Sequence, residues 1–225
     1  GLFRTEFFLL ENEECPDEEK QAALYSRVAK RVSPSEVIFR TLDAGGDKVP
    51  AHPLSQPEPN PFLGWRGIRF SLDRRDLFKE QLRAILRAGT SGRVGLMFPL
   101  ISGVGEVRQA KSLLSECMDE LTERGVEFNR EISVGAMIEV PSAAMVAADI
   151  AAEVDFLSIG TYDLVQYTVA FDRVKPRVAK LYRSAHPGII LSLIHISEPT
   201  RRYAIAYSGV WLKKKKGGGG GGGGG

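Results

Sequence analysis

Short apolar runs alternate with stretches of helical periodicity over most of the chain. The runs at residues 1–10, 37–42, 94–99, 134–140 and 156–160 are rich in Val, Ile, Leu and Phe. They are nearly continuous rather than alternating, which predicts strands buried on both faces of a parallel sheet. Helices are predicted between them. One starts after Pro16, with Asp17, Glu18 and Glu19 in its first turn and Leu24, Tyr25 and Val28 on one face. A second spans 74–88, with Phe78, Leu82, Ile85 and Leu86 at helical spacing and Gly89 as its stop. A third spans 105–124, with Val107, Leu114, Met118 and Leu121 inward and Gly125 as its stop. A fourth follows Pro141, with Ser142 as its expected cap. Strand–helix repetition of this kind predicts an α/β fold. Residues 48–64 break the rhythm with five prolines and predict a long loop of functional interest.

Beyond Ile190 the pattern changes character. LSLIHISEPTRR resembles the translation of a sequencing-library adapter, and KKKK followed by nine glycines resembles translated poly-A joined to poly-G. The expectation is a domain at 1–190 and a disordered or artefactual tail at 191–225. This division changes the charge picture. The whole chain carries 30 basic and 28 acidic residues, a net of +2. Without the tail it carries 24 and 27, a net of −3, so its basicity makes no argument for nucleic acid. No apolar run is long enough to span a membrane. Two distant cysteines, Cys15 and Cys117, build no disulfide framework and favour a reducing compartment.

Polar residues recur at the predicted strand exits: Arg4, Arg40, Asp43, Glu139 and Asp163. One at the carboxyl end of each successive strand fits a (β/α)8 barrel, whose sites form on that face. An open doubly wound sheet would use the same end. No GxGxxG or Walker pattern opens a helix. Arg4, Arg40, Arg66 and Arg173 could converge as guanidinium forks on a polyanion. Glu139 and Asp163 could share a hard cation such as Mg²⁺, with substrate and water completing its shell. Together they suggest a metal-plus-arginine site for a phosphorylated acid.

The segments GLFRTEF, RTLDAGGDK, NPFLGWRGIR, QLRAILRA, MFPLI, IEVPSAA and SIGTYDLVQYT occur in this order. With them the chain resembles enzyme I of the bacterial sugar phosphotransferase system, the phosphoenolpyruvate–protein phosphotransferases. The resemblance covers nearly all of 1–190. It implies a TIM barrel that binds phosphoenolpyruvate and Mg²⁺ and phosphorylates a histidine on a separate N-terminal domain. That histidine feeds a histidine-containing carrier protein in sugar uptake. It implies substrate contacts from Arg4, Arg40, Arg66 and Arg173, and Mg²⁺ ligation by Glu139 and Asp163. Gly45 and Gly46 would allow a close turn beside the site, and Lys48 could add a cation. A cytoplasmic homodimer is implied for the full-length family. Against the family pattern the chain is expected to be an incomplete barrel, lacking the first strand and the last two, and inactive by itself. The family's proton-handling cysteine belongs to the missing region, so no catalytic residue is assigned. Tyr162 stands at a substrate-binding position where the family has Asn. A pyruvate phosphate dikinase or phosphoenolpyruvate synthase barrel, and a non-catalytic anion-binding barrel, are the alternative readings.

Overall fold

The structure, a computed structural model, describes residues 1–10, 16–43, 60–180, 182–183, 185–198, 204–207 and 210–212. Its elements run β1 (Leu2–Arg4), α1 (Glu6–Leu10), α2 (Glu18–Val32), β2 (Val37–Arg40), a 3₁₀ turn (Pro61–Leu63), α3 (Ile68–Asp73), α4 (Arg75–Ala88), β3 (Val94–Phe98), α5 (Val104–Glu123) and β4 (Ser133–Ile138). They continue with α6 (Pro141–Met145), α7 (Ala147–Glu153), β5 (Phe156–Ile159), α8 (Thr161–Val169), α9 (Pro176–Ala179), α10 (Pro187–Ser197), β6 (Ala204–Tyr207) and β7 (Val210–Leu212). The predicted α/β class is the observed one.

The sheet order is β1-β2-β3-β4-β5-β6-β7. Pairing is parallel from β1 to β6 and antiparallel between β6 and β7. Each strand therefore lies beside the one before it, and the order never reverses as it does in a doubly wound sheet. Crossovers of one hand then place the connecting helices on one face. The core follows from this. On the helix side Val37, Phe39, Leu96, Phe98, Ala136, Ile138, Leu157 and Ile159 pack with Leu82, Ile85, Leu114 and Ile150. On the opposite face Ile38, Met97, Met137 and Phe156 form a separate cluster of strand residues alone. Gly135 is paired with Phe156 there, and a Cβ on it would collide with the Phe156 ring, so the glycine makes room for the aromatic side chain.

Several expectations are corrected. Residues 1–10 do not form one strand. β1 stops at Arg4, and the chain turns into α1. Thr5 makes the turn: its hydroxyl donates to the Arg40 carbonyl at 2.9 Å, and its carbonyl accepts from Phe8 N at 3.2 Å. The helix after Pro141 is broken into α6 and α7, and the Ser142 hydroxyl caps neither, donating instead to the Ser102 carbonyl at 2.9 Å. Past Ile190, α10 runs on to Ser197 and β6 pairs in parallel with β5. In β6 (AIAY) only Ile205 and Tyr207 are strand-favouring residue types, and the strand pairs along the edge of β5. Cys15, Gly45, Gly46 and Lys48 lie outside the described residues. Among the described residues no helix is long and apolar enough to cross a membrane.

Candidate anion and metal site

Parallel strands that share a direction also share an exit, so Arg4, Arg40, Glu139 and Asp163 are delivered to one end of the sheet. Arg4 and Arg40 are direct neighbours in the β1–β2 register. Two guanidiniums side by side repel, and Glu6 lies between them. Its Oε1 accepts from Arg4 Nε at 2.9 Å and from Arg40 Nη2. Arg40 is buried, with its Nη2 also 3.5 Å from Asp43 Oδ2. Its Nε and Glu6 Oε2 are buried without a hydrogen-bond partner among the described residues.

Arg66 comes from the end of the proline-rich segment and is 1% exposed. Its Nη2 donates to Asp43 Oδ1 and Oδ2 at 3.1 and 3.0 Å, and its Nε donates to Oδ1 at 3.2 Å. Its Nη1 reaches Asp163 Oδ1 and the Tyr167 hydroxyl, both at 3.3 Å. Burial opposes the charge, but Asp43 and Asp163 more than compensate and hold the guanidinium protonated. Arg173 joins through Asp163, its Nη1 3.5 Å from Oδ2, and lies over the Phe62 ring at 5.0 Å. Gln166 fixes its backbone by accepting from Arg173 N at 3.2 Å.

Glu139, just beyond β4, is fully inside, and its Oε1 accepts from Leu100 N at 2.7 Å. Gly160 permits this, since a Cβ there would sit 2.7 Å from the Glu139 Cβ. Burial, then the negative charges of Asp43 and Asp163, push the Glu139 carboxyl up to about 7, against the pull of Arg40 and the Leu100 N–H. Asp163 lies in the first turn of α8, where the helix dipole favours a carboxylate. Among the described residues no trio of His, Cys, Asp and Glu is arranged to hold a metal. Glu139 and Asp163 are a pair of hard oxygen donors whose negative charges act on one another, in a cluster where arginines and carboxylates are about equal in number. That donor chemistry fits a Mg²⁺ ion, which needs only one or two carboxylates besides substrate and water.

The structure therefore gathers Arg40, Arg66, Arg173, Glu139 and Asp163, with Arg4 at the margin. Tyr162 stays apart. It is 60% exposed and stacks on Tyr182, with ring centroids 5.0 Å apart. The sequence pattern marks Asp43 only as a polar strand exit, and it marks neither Glu6 nor Tyr167. Tyr167 had a signal available, since it follows Asp163 by four residues and so shares its helix face. Cys117 is buried on α5, with its thiol pushed up to about 12 by burial, consistent with a packing role.

The profile of the family described as PEP-utilising enzyme, PEP-binding domain, matches residues 1–207. A phosphoenolpyruvate-protein phosphotransferase of Mycoplasma capricolum is 46% identical over 190 residues, covering 84% of this chain and 33% of its own length. Proteins of the same name from Priestia megaterium and Haemophilus influenzae are 47% and 45% identical, each over the same share of both chains. The chain thus spans about a third of the length of the curated relatives it matches. A solved citrate lyase from Burkholderia xenovorans covers 92% of this chain and 61% of its own at a TM-score of 0.49 and 16% identity, a likeness below the level that defines a shared fold. By the extent of its profile match, the chain belongs to the family of PEP-utilising enzymes and carries their PEP-binding domain.

Proposed function

We propose that this chain is the phosphoenolpyruvate-binding part of a phosphoenolpyruvate–protein phosphotransferase, built on a segment of a (β/α)8 barrel. The observation that carries the reading is the union of Arg40, Arg66 and Arg173 with the charge-rich Glu139–Asp163 pair at one end of the sheet. Sequential strand order with helices on one face supports the barrel. The phosphoenolpyruvate-binding residues are assigned to 1–190 on sequence character, although α10 and β6 continue past that boundary. Residues 191–225, with their adapter-like and homopolymeric sequence, are assigned no function.

In this reading the substrate phosphate is held by guanidinium groups whose counter-ions fix their aim. Arg40 Nε, which has no hydrogen-bond partner among the described residues, donates to a phosphoryl oxygen. Glu6 keeps Arg4 and Arg40 together before substrate arrives, Arg173 joins them on the phosphate, and Arg66 lies nearby on the substrate side. Glu139 and Asp163 hold Mg²⁺, which when bound would neutralise charge on the phosphoryl oxygens. Catalysis is then chiefly positioning and electrostatic stabilisation. The acceptor histidine, the proton-handling cysteine, the carrier-protein contact, homodimerisation and a cytoplasmic setting belong to the whole protein. Tyr162, turned outward onto Tyr182, favours a second reading, an anion-binding barrel without transfer.

The test is calorimetric titration of the full-length protein with phosphoenolpyruvate in Mg²⁺. Micromolar to millimolar binding is expected, weakened at least about a hundredfold in Glu139→Ala. Equal binding by wild type and Glu139→Ala would remove the metal assignment. Transfer by wild type would dismiss the binding-only reading, and gain of transfer only in Tyr162→Asn would support it.

A further inference from the structure

The Tyr167 hydroxyl stands between the site and the segment that leads into it. It accepts from Arg66 Nη1 at 3.3 Å and donates to the carbonyl oxygen of Phe62. Burial raises its ionisation to about 12, so the proton stays on oxygen and the donor direction is fixed. The Phe62 ring is itself buried and carries the Arg173 guanidinium at 5.0 Å. One hydroxyl thus joins three parts: the Pro61–Leu63 turn, Arg66 and, through the Phe62 ring, Arg173. We propose that Tyr167 is a positioning residue whose hydroxyl latches the Pro61–Leu63 turn onto α8 and so aims Arg66 and Arg173 at the substrate anion. The inference deepens the phosphoenolpyruvate reading and rests on it for the identity of that anion.

Tyr167→Phe keeps the ring and its packing and removes one oxygen. Two readouts are taken on the full-length protein. The first is amide exchange over residues 60–66 without ligand, which tests the latch independently of any substrate. The second is phosphoenolpyruvate titration in Mg²⁺ with steady-state transfer. In Tyr167→Phe, exchange over 60–66 rises, Kd and KM increase about tenfold, and kcat changes less than about twofold. A purely structural tyrosine would lower thermal stability and leave exchange over 60–66 and the KM–kcat split unmoved. Phe62→Leu, which keeps the carbonyl but removes the ring under Arg173, is expected to weaken binding without raising exchange. It carries the affinity test should Tyr167→Phe fold poorly. Unchanged exchange together with unchanged affinity in Tyr167→Phe overturns the latch. Raised exchange in a protein whose wild type ignores phosphoenolpyruvate upholds the latch and brings down the functional reading instead.

Discussion

Arg66 illustrates what a buried cation demands. Its five donors are spread over Asp43, Asp163 and Tyr167, with Asp43 taking the larger share. Removing one side of such a pair leaves a desolvated charge, which costs about 3–5 kcal/mol. Asp43→Ala is expected to destabilise the protein on that scale in denaturant unfolding and to weaken anion binding by freeing Arg66. A loss under about 1 kcal/mol would mean water replaces the carboxylate. Arg4, Arg40, Glu139 and Asp163 stand out in the sequence as polar residues at or just past the ends of apolar runs, whereas Arg66 and Arg173 lie in loops and carry no such mark. The roles of Asp43, Glu6 and Tyr167 were not legible there. They depend on which charges face one another without water, and a linear pattern does not contain that information.

Among elements, α2, α4 and α5 are joined at Glu18. The carboxylate accepts from Arg83 Nε at 2.6 Å, Arg87 Nη1 at 2.8 Å and Arg124 Nη1 at 3.2 Å. Burial raises its ionisation, but the three guanidiniums outweigh burial and hold it at about 2, below the ordinary 4.5. A carboxyl depressed in the folded state contributes stability above its unfolded value and loses it as pH falls through the folded one. Glu18→Gln should therefore cost about 1–3 kcal/mol at pH 7, and the gap from wild type should narrow between about pH 4.5 and 2. Thermal melts across that range decide it, and a gap independent of pH would contradict it. α4 and α5 were predicted to within a residue because their apolar faces are regular and Gly89 and Gly125 end them. β1 was overextended because FFLL reads equally as strand or helix, and a Thr5 hydrogen bond to a distant carbonyl decided between them. Ser142 looked like a cap, but Ser102, on another loop, claimed its hydroxyl.

For the whole molecule, the α/β class followed from alternation, and β6 and β7 lie past Ile190, in the stretch set apart on sequence character. β1 occupies one edge of the sheet, with Leu2 half exposed and Phe7 of α1 exposed beside it. The 225-residue chain by itself is expected to self-associate through such edges, with an average mass that rises with concentration in sedimentation. A concentration-independent monomer with one cooperative melt would refute this. The sequential strand order also has a consequence for synthesis. From β1 to β6 each strand pairs in parallel with the one made just before it, so none of these pairings waits for a segment still inside the ribosome. The clasp on Glu18 is different, because its third guanidinium, Arg124, lies 106 residues downstream. Nascent chains halted before Arg124 emerges should already hold α2 on α4 through Arg83 and Arg87, and the arrival of α5 adds the third guanidinium to the same carboxylate.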